Sequence, residues 1–112
     1  MNKAEIKPPA HLKPASKRWF QSVVADFELE SHHLRLLQAA CEAWDRMTAA
    51  RETLAAEGAY YRNRNDEPRP HPAIAIERDS RVAFAQMVRE LGLDGLPEPD
   101  PRPPRVANRY AS

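Results

Sequence analysis

The stretch SHHLRLLQAACEAWDRMTAARETLAAEG, residues 31–58, decides how this chain folds. Leu34, Leu37, Cys41, Trp44, Met47 and Leu54 recur along it at steps of three, four or seven. A helix with 3.6 residues per turn gathers such positions onto one stripe. Residues 32–57 are therefore expected to form one long amphipathic helix. Ser31 is expected as its N-cap, and Gly58 as the residue past its end, where a left-handed backbone excludes most side chains. The stripe is longer than so short a chain covers from within, so it asks for a partner.

The prolines delimit what surrounds this helix. Pro8, Pro9 and Pro14 precede it, and the other eight of the eleven fall between Pro68 and Pro104. Continuous helix is allowed only where they are absent. A first helix is expected over residues 15–26, opened by Pro14 in its first turn. Trp19, Phe20, Val23, Val24 and Phe27 form its core-facing side, and Lys13, Lys17 and Arg18 lie along the other edge. The link over residues 28–31 is short enough to make an α-hairpin with the long helix.

Past Gly58, Tyr60 and Tyr61 favour extended backbone and Asn63-Arg64-Asn65-Asp66 supplies turn residues, so a short extended or hairpin segment is expected near residues 59–66. Pro68, Pro70 and Pro72 argue against a long return strand. The tyrosines are read as core or subunit packing. A third helix should run from Pro72 or Ala73 to Leu91, with Ile74, Ile76, Val82, Phe84, Ala85, Val88 and Leu91 as its apolar members and Gly92 as its stop. The fold class is all-α: a long helical hairpin plus a third helix. Residues 1–10 are read as a flexible arm, 11–93 as the helical domain, and 94–112 as a flexible Pro/Arg-rich tail.

A core of roughly eighty residues supplies only a few kcal/mol, which self-association would augment. The net charge of +1 is unevenly distributed. Five basic and three acidic residues give residues 1–29 a net +2, whereas three basic and five acidic residues give residues 30–57 a net −2. A phosphate backbone attracts the first and repels the second. Lys13, Lys17 and Arg18, with Arg62, Arg64 and Arg69 of the central loop, are thus the candidate DNA-binding residues. Such contacts hold phosphates and specify little sequence. The long helix is too long and too acidic for a reading helix.

Catalytic chemistry finds no foothold. Glycines at 58, 92 and 95 cannot build a phosphate-cradling loop, and no nucleophile elbow is present. His11, His32, His33, His71 and Cys41 lack the spacing of a metal site on a helix. Glu42 and Asp45 fit an exposed helix face, and Cys41 fits a small buried hydrophobe. No catalytic residue, metal ligand or cofactor is expected. No run approaches the ~20 apolar residues of a bilayer span, and no secretion signal opens the chain, so no membrane partner is expected.

Several features occur in a telling order: Pro9-Ala-His-Leu12, Trp19, the long helix ending in Gly58, His71-Pro72 closing the loop, and Leu91-Gly92-Leu93. The set resembles the short, all-α phage terminase small subunits from residue 9 to residue 93. The resemblance implies a non-enzymatic component of a viral genome-packaging motor in the host bacterial cytoplasm. Such a subunit binds double-stranded viral DNA as a ring-like homo-oligomer and regulates the large ATPase and nuclease subunit. On this reading Leu37, Cys41, Trp44, Met47, Phe84 and Val88 form the oligomer interface, and Arg102, Arg105 and Arg109 dock on the large subunit. Ring closure requires one face of each copy to meet a different face of the next. The alternative is a dimeric helical transcriptional regulator or adaptor, which the same hairpin and basic edge would serve.

Overall fold

The computed structural model describes residues 5–93 of the 112-residue chain. Its elements are α1 (Pro14–Asp26), α2 (Ser31–Glu57), β1 (Tyr60–Arg62), β2 (Pro68–Pro70) and α3 (Ala73–Leu91). The all-α expectation holds, with one two-stranded ribbon inserted between the second and third helices.

The start of α2 differs from expectation by one residue. Glu30, not Ser31, is the N-cap, in a reciprocal capping box with His33. The Glu30 carboxylate accepts the His33 N–H, and the Glu30 N–H donates to His33 Nδ1 at 3.1 Å. A longer side chain with a matching ring partner satisfies two orphan backbone donors, where a serine satisfies one. The helix ends at Gly58, whose φ of 85° is positive as expected, with an extended ψ of 164°.

Helices α2 and α3 are antiparallel, as the pairings Trp44 with Phe84, Arg51 with Glu77 and Glu57 with His71 show. Their seam has a heptad spacing. Leu36, Ala40, Ala43, Met47, Ala50 and Leu54 on α2 alternate steps of four and three, as do Ala73, Glu77, Ser80, Phe84, Met87 and Leu91 on α3. All twelve are buried or half-buried. Ala40, Ala43, Ala50, Ala73 and Ser80 are the small members, and small side chains let two helix backbones approach closely along a coiled-coil seam. This is by far the most extensive packing between elements. Glu77 sits within it as an ion-pair hub, receiving Arg51 Nε at 3.0 Å and Arg81 Nε at 3.3 Å. Partial burial pushes its carboxyl up, and the two guanidiniums more than offset this, leaving its pKa below the ordinary value.

Helix α1 covers only one end of this pair. Leu12, Phe20, Val23 and Val24 pack there with Leu37 and Cys41 of α2, flanked by Leu29, Leu34, Leu91 and Leu93. Ile6 also packs on this cluster, so packing begins five residues ahead of the expected domain edge at His11. Among the described residues no third layer covers the other half of the α2–α3 pair, which ends in the ribbon. Ile76 and Val82, expected as apolar members of the third helix, are 49% and 52% exposed. The positions they were expected to fill are taken by Ala73 and Ser80, small enough for close backbone approach, and by Glu77, which accepts from Arg51 and Arg81.

The seam predicts a sharp contrast. Ala43→Leu inserts volume where the backbones meet and should cost about 1–3 kcal/mol. Ala55→Leu, at an exposed position of the same helix, should change stability by less than about 0.5 kcal/mol. Urea denaturation followed by circular dichroism measures both.

Candidate nucleic-acid interface

The six expected DNA-binding residues form two groups that do not converge. Lys13, Lys17 and Arg18 lie at the start of α1, and Arg62, Arg64 and Arg69 lie on the ribbon. Lys13 is held beside Asp45, while the ribbon is rooted at Glu57. Twelve residues of helix separate those two points, a rise of about 18 Å.

The first group sits in an acidic setting. Helix α1 has no N-cap side chain of its own, and Asp45 of α2 supplies the function from across the hairpin. Its carboxylate accepts the Lys13 N–H at 2.9 Å and the hydroxyl of buried Ser16 at 2.6 Å. Glu42, one turn away, contacts His11 Nε2 at 2.7 Å and accepts from Gln38 at 3.3 Å. The hydrogen bond from His11, reinforced by that from Gln38, holds the Glu42 carboxyl below its ordinary pKa. These two acids are therefore not an idle exposed face. They fasten the start of α1 to α2, and they reduce the positive potential around Lys13.

Between them lies Cys41, fully buried, with its thiol 3.7 Å from the Ser16 carbonyl. Burial, helped by the Asp45 and Glu42 charges, pushes that thiol up to about 12. At neutral pH it is a protonated core side chain.

The second group has a more open setting. Tyr60 pairs with Pro70, Tyr61 with Arg69 and Arg62 with Pro68, antiparallel. The ladder continues at each end through Asn63 N–H to Glu67 carbonyl, 3.1 Å, and His71 N–H to Ala59 carbonyl, 2.7 Å. Hydrogen-bonded pairs alternate with non-bonded ones in an antiparallel ladder. Pro68 and Pro70 therefore fall on the positions where no N–H is needed, which is how a proline-rich segment forms this strand. The ladder limits it to three residues.

Asn63 organises the turn, its side-chain oxygen accepting the Asn65 and Glu67 N–H groups at 2.9 and 3.0 Å. Asp66 takes the left-handed position with φ 59°, the third-residue geometry of a common hairpin loop. His71 secures the base. Its Nδ1 accepts the Ala73 N–H at 3.0 Å, capping α3, so its neutral ring carries the proton on Nε2 and donates it to Glu57, also at 3.0 Å.

Side chains alternate across the ribbon, so Tyr61 and Arg69 share one face and Tyr60 and Arg62 the other. Tyr60 is 67% exposed and Tyr61 is also exposed. Of the expected core or subunit packing, the core half is overturned, because among the described residues no third layer reaches this end. Arg62 donates to the Asp66 carbonyl at 2.6 Å, and Arg69 lies 3.7 Å from the Glu67 carboxylate. Both side chains remain more than half exposed. Among the described residues Arg64, at the tip, has no ion-pair partner.

The six expected interface residues divide evenly. Leu37, Cys41 and Met47 are covered inside the chain itself, whereas Trp44, Phe84 and Val88 keep exposed surface. Arg102, Arg105 and Arg109 lie outside the described residues. Among the described residues no cluster of His, Cys, Asp and Glu is arranged to hold a metal ion, and no helix is long and apolar enough to cross a membrane.

Residues 17–96 match the family model for the phage terminase small subunit. The chain belongs to that family. Comparison with curated proteins and with solved structures gave no match. The family match begins inside α1 and ends just past α3, so it spans the α2–α3 seam and the ribbon. Lys13, His11 and the tail arginines fall outside it.

The depressed Glu42 carboxyl gives a stability contribution that is present above its unfolded pKa and lost as pH falls through the lower folded value. Glu42→Gln should lower the thermal midpoint near pH 6, and the difference should shrink toward zero by about pH 3. A pH-independent difference would mean that the carboxylate's charge contributes nothing.

Proposed function

We propose that this chain is the non-catalytic small subunit of a viral DNA-packaging terminase. It binds double-stranded viral DNA, assembles as a ring-like homo-oligomer and regulates the large subunit that carries ATPase and nuclease. The observation that carries this reading is the family match, which runs from within α1 to just past α3. A short recognition helix would favour a dimeric regulator, and the second helix instead runs 27 residues with its central face packed on α3.

For DNA contact the ribbon is the better candidate of the two basic groups. Arg62, Arg64 and Arg69 stand on a two-stranded projection, a shape that the major groove admits. Tyr60 and Tyr61 add a ring to each face. Lys13, Lys17 and Arg18 contribute a secondary contact, weakened by Asp45 and Glu42. The triple variant Arg62→Ala, Arg64→Ala, Arg69→Ala should weaken DNA binding and lower the slope of log affinity against log salt by about 0.9 for each phosphate no longer neutralised. Unchanged affinity and slope would refute the assignment.

Self-association draws on the apolar side chains that the chain leaves uncovered. Ile76 and Val82 of α3 are such a pair, both about half exposed. Six residues apart, Ile76 and Val82 lie about a third of a turn from each other round α3, and each lies about a third of a turn from Val88, so the three side chains face different directions. A head-to-tail contact needs two such faces. Ile76→Glu with Val82→Glu should lower the mass seen by light scattering at micromolar concentration while leaving helix content intact. An unaltered mass would place the contact elsewhere. Docking to the large subunit is assigned to Arg102, Arg105 and Arg109, beyond the described residues.

A further inference from the structure

An aromatic trough runs along the side of the bundle where α1, α2 and α3 meet. Its centre is Phe84, with ring centroids 5.6 Å from Trp19 and 5.0 Å from Trp44. The cavity there is about 220 Å³, floored by these three rings with Ala15 and Ser16. Small-molecule pockets run to about 300–1,000 Å³, so this one suits a row of side chains better than a ligand. Trp44 remains 40% exposed although its ring meets Phe84. The seam does not explain it, since Trp44 lies off the α2–α3 heptad.

The two ends of the trough differ. Trp19 and Phe84 continue toward Val88 and Leu93. In the other direction Ala15 and Trp44 continue toward Asp45 and Glu52. The described chain therefore stops at one end of the trough, beside Asp26, and the other end holds Asp45 and Glu52 with Lys13. At the stopping point Gly92 is left-handed, with φ 73°, and the Leu93 N–H bonds back to the Val88 carbonyl at 3.0 Å. This is the Schellman turn that redirects a chain at a helix end. Gly95 follows within three residues.

The sequence that comes next is Leu96-Pro97-Glu98-Pro99-Asp100-Pro101-Arg102-Pro103-Pro104-Arg105. Such a run favours polyproline II, three residues per turn with about 3.1 Å per residue. Aromatic-lined grooves bind this conformation because its shape is set before binding. We propose that Pro97–Arg105 of the same chain lies in the trough, prolines on Trp44 and Phe84, with Arg102 and Arg105 toward Asp45 and Glu52.

Length agrees, and at the far end Asp45 and Glu52 outnumber Lys13. From Phe84 to Leu93 is about 14 Å along α3, and from Trp44 to Glu52 about 12 Å along α2. The segment spans about 25 Å as polyproline II, close to the whole trough. With three residues per turn, Arg102 and Arg105 share one edge, so both face the acidic end together. Tethering at Leu93 gives an effective concentration of the order of millimolar, so a weak intrinsic contact suffices to keep the trough filled. The proposal stands whether or not the same arginines later meet the large subunit.

Both tryptophans line the trough, so acrylamide quenching of their fluorescence in the full chain reads its occupancy. In the full-length variant Arg102→Glu, Arg105→Glu, Pro99→Gly, Pro101→Gly the quenching constant should rise at least twofold over wild type. Wild type should show the same protection at every protein concentration, with mass measured alongside. Equal quenching in the two proteins would overturn the proposal. Protection that vanishes on dilution as the mass falls would overturn it too, making a second copy the occupant. The variant leaves the described core untouched, and circular dichroism checks that it folds.

Discussion

The close approach of α2 and α3 along Ala40, Ala43, Ala50, Ala73 and Ser80 is the contact on which the rest of the molecule is built. Only at its α1 end is the pair shielded by a third helix. Beyond that, two helices alone must hold their own geometry, and an isolated amphipathic pair with bulky, mismatched residues would not. Small side chains bring the backbones together, and Glu77 between Arg51 and Arg81 fixes one position along the seam. Both guanidiniums are more than half exposed, so these pairs add little stability, and their contribution is to mark the register of the two helices. The His71 bridge from Glu57 to the first turn of α3 then closes the far end.

The charges follow from the same architecture. Acidic residues on α2 fasten the start of α1, with Asp45 replacing the missing cap and Glu42 meeting His11. The basic front that the sequence displays is thereby partly neutralised in three dimensions. On the ribbon, about 18 Å further along by helix rise, Asp66 and Glu67 lie 3.7 Å from Arg62 and Arg69, but both guanidiniums stay more than half exposed and Arg64 has no ion-pair partner among the described residues. A chain of almost zero net charge can in this way carry a locally positive projection.

Much of the fold was legible. The three helices, their limits at Asp26, Glu57 and Leu91, and a short extended segment after Gly58 all follow from periodicity and from where proline and glycine stand. The seam was not legible on α3, because its inward positions include Glu77 and Ser80 while Ile76 and Val82 face out. Hydropathy reads apolar residues as core, and a tight seam selects for size. The role of Asp45 was equally hidden: a carboxylate at an exposed-looking helical position gives no sign that it caps another helix 32 residues earlier. Of the site, the basic residues were visible as types, but their division into two groups, one beside the acids of α2 and one on the ribbon, depends on tertiary placement. Membership of the terminase small subunit family is shown by the match over residues 17–96; the ordered features that suggested it run from residue 9 to residue 93, and no one of them is distinctive alone.

The central claim is that a seam of small residues holds a two-helix arm rigid so that its ribbon can meet DNA. Hydrogen exchange on the full chain, free and with double-stranded viral DNA, tests both halves together. The account predicts slow exchange in the free protein along residues 47–54 and 73–80, where no third helix covers the pair, and a gain of protection at residues 60–70 when DNA is added. Rapid exchange of that bare half in the free protein, with the ribbon amides unchanged by DNA, would contradict it.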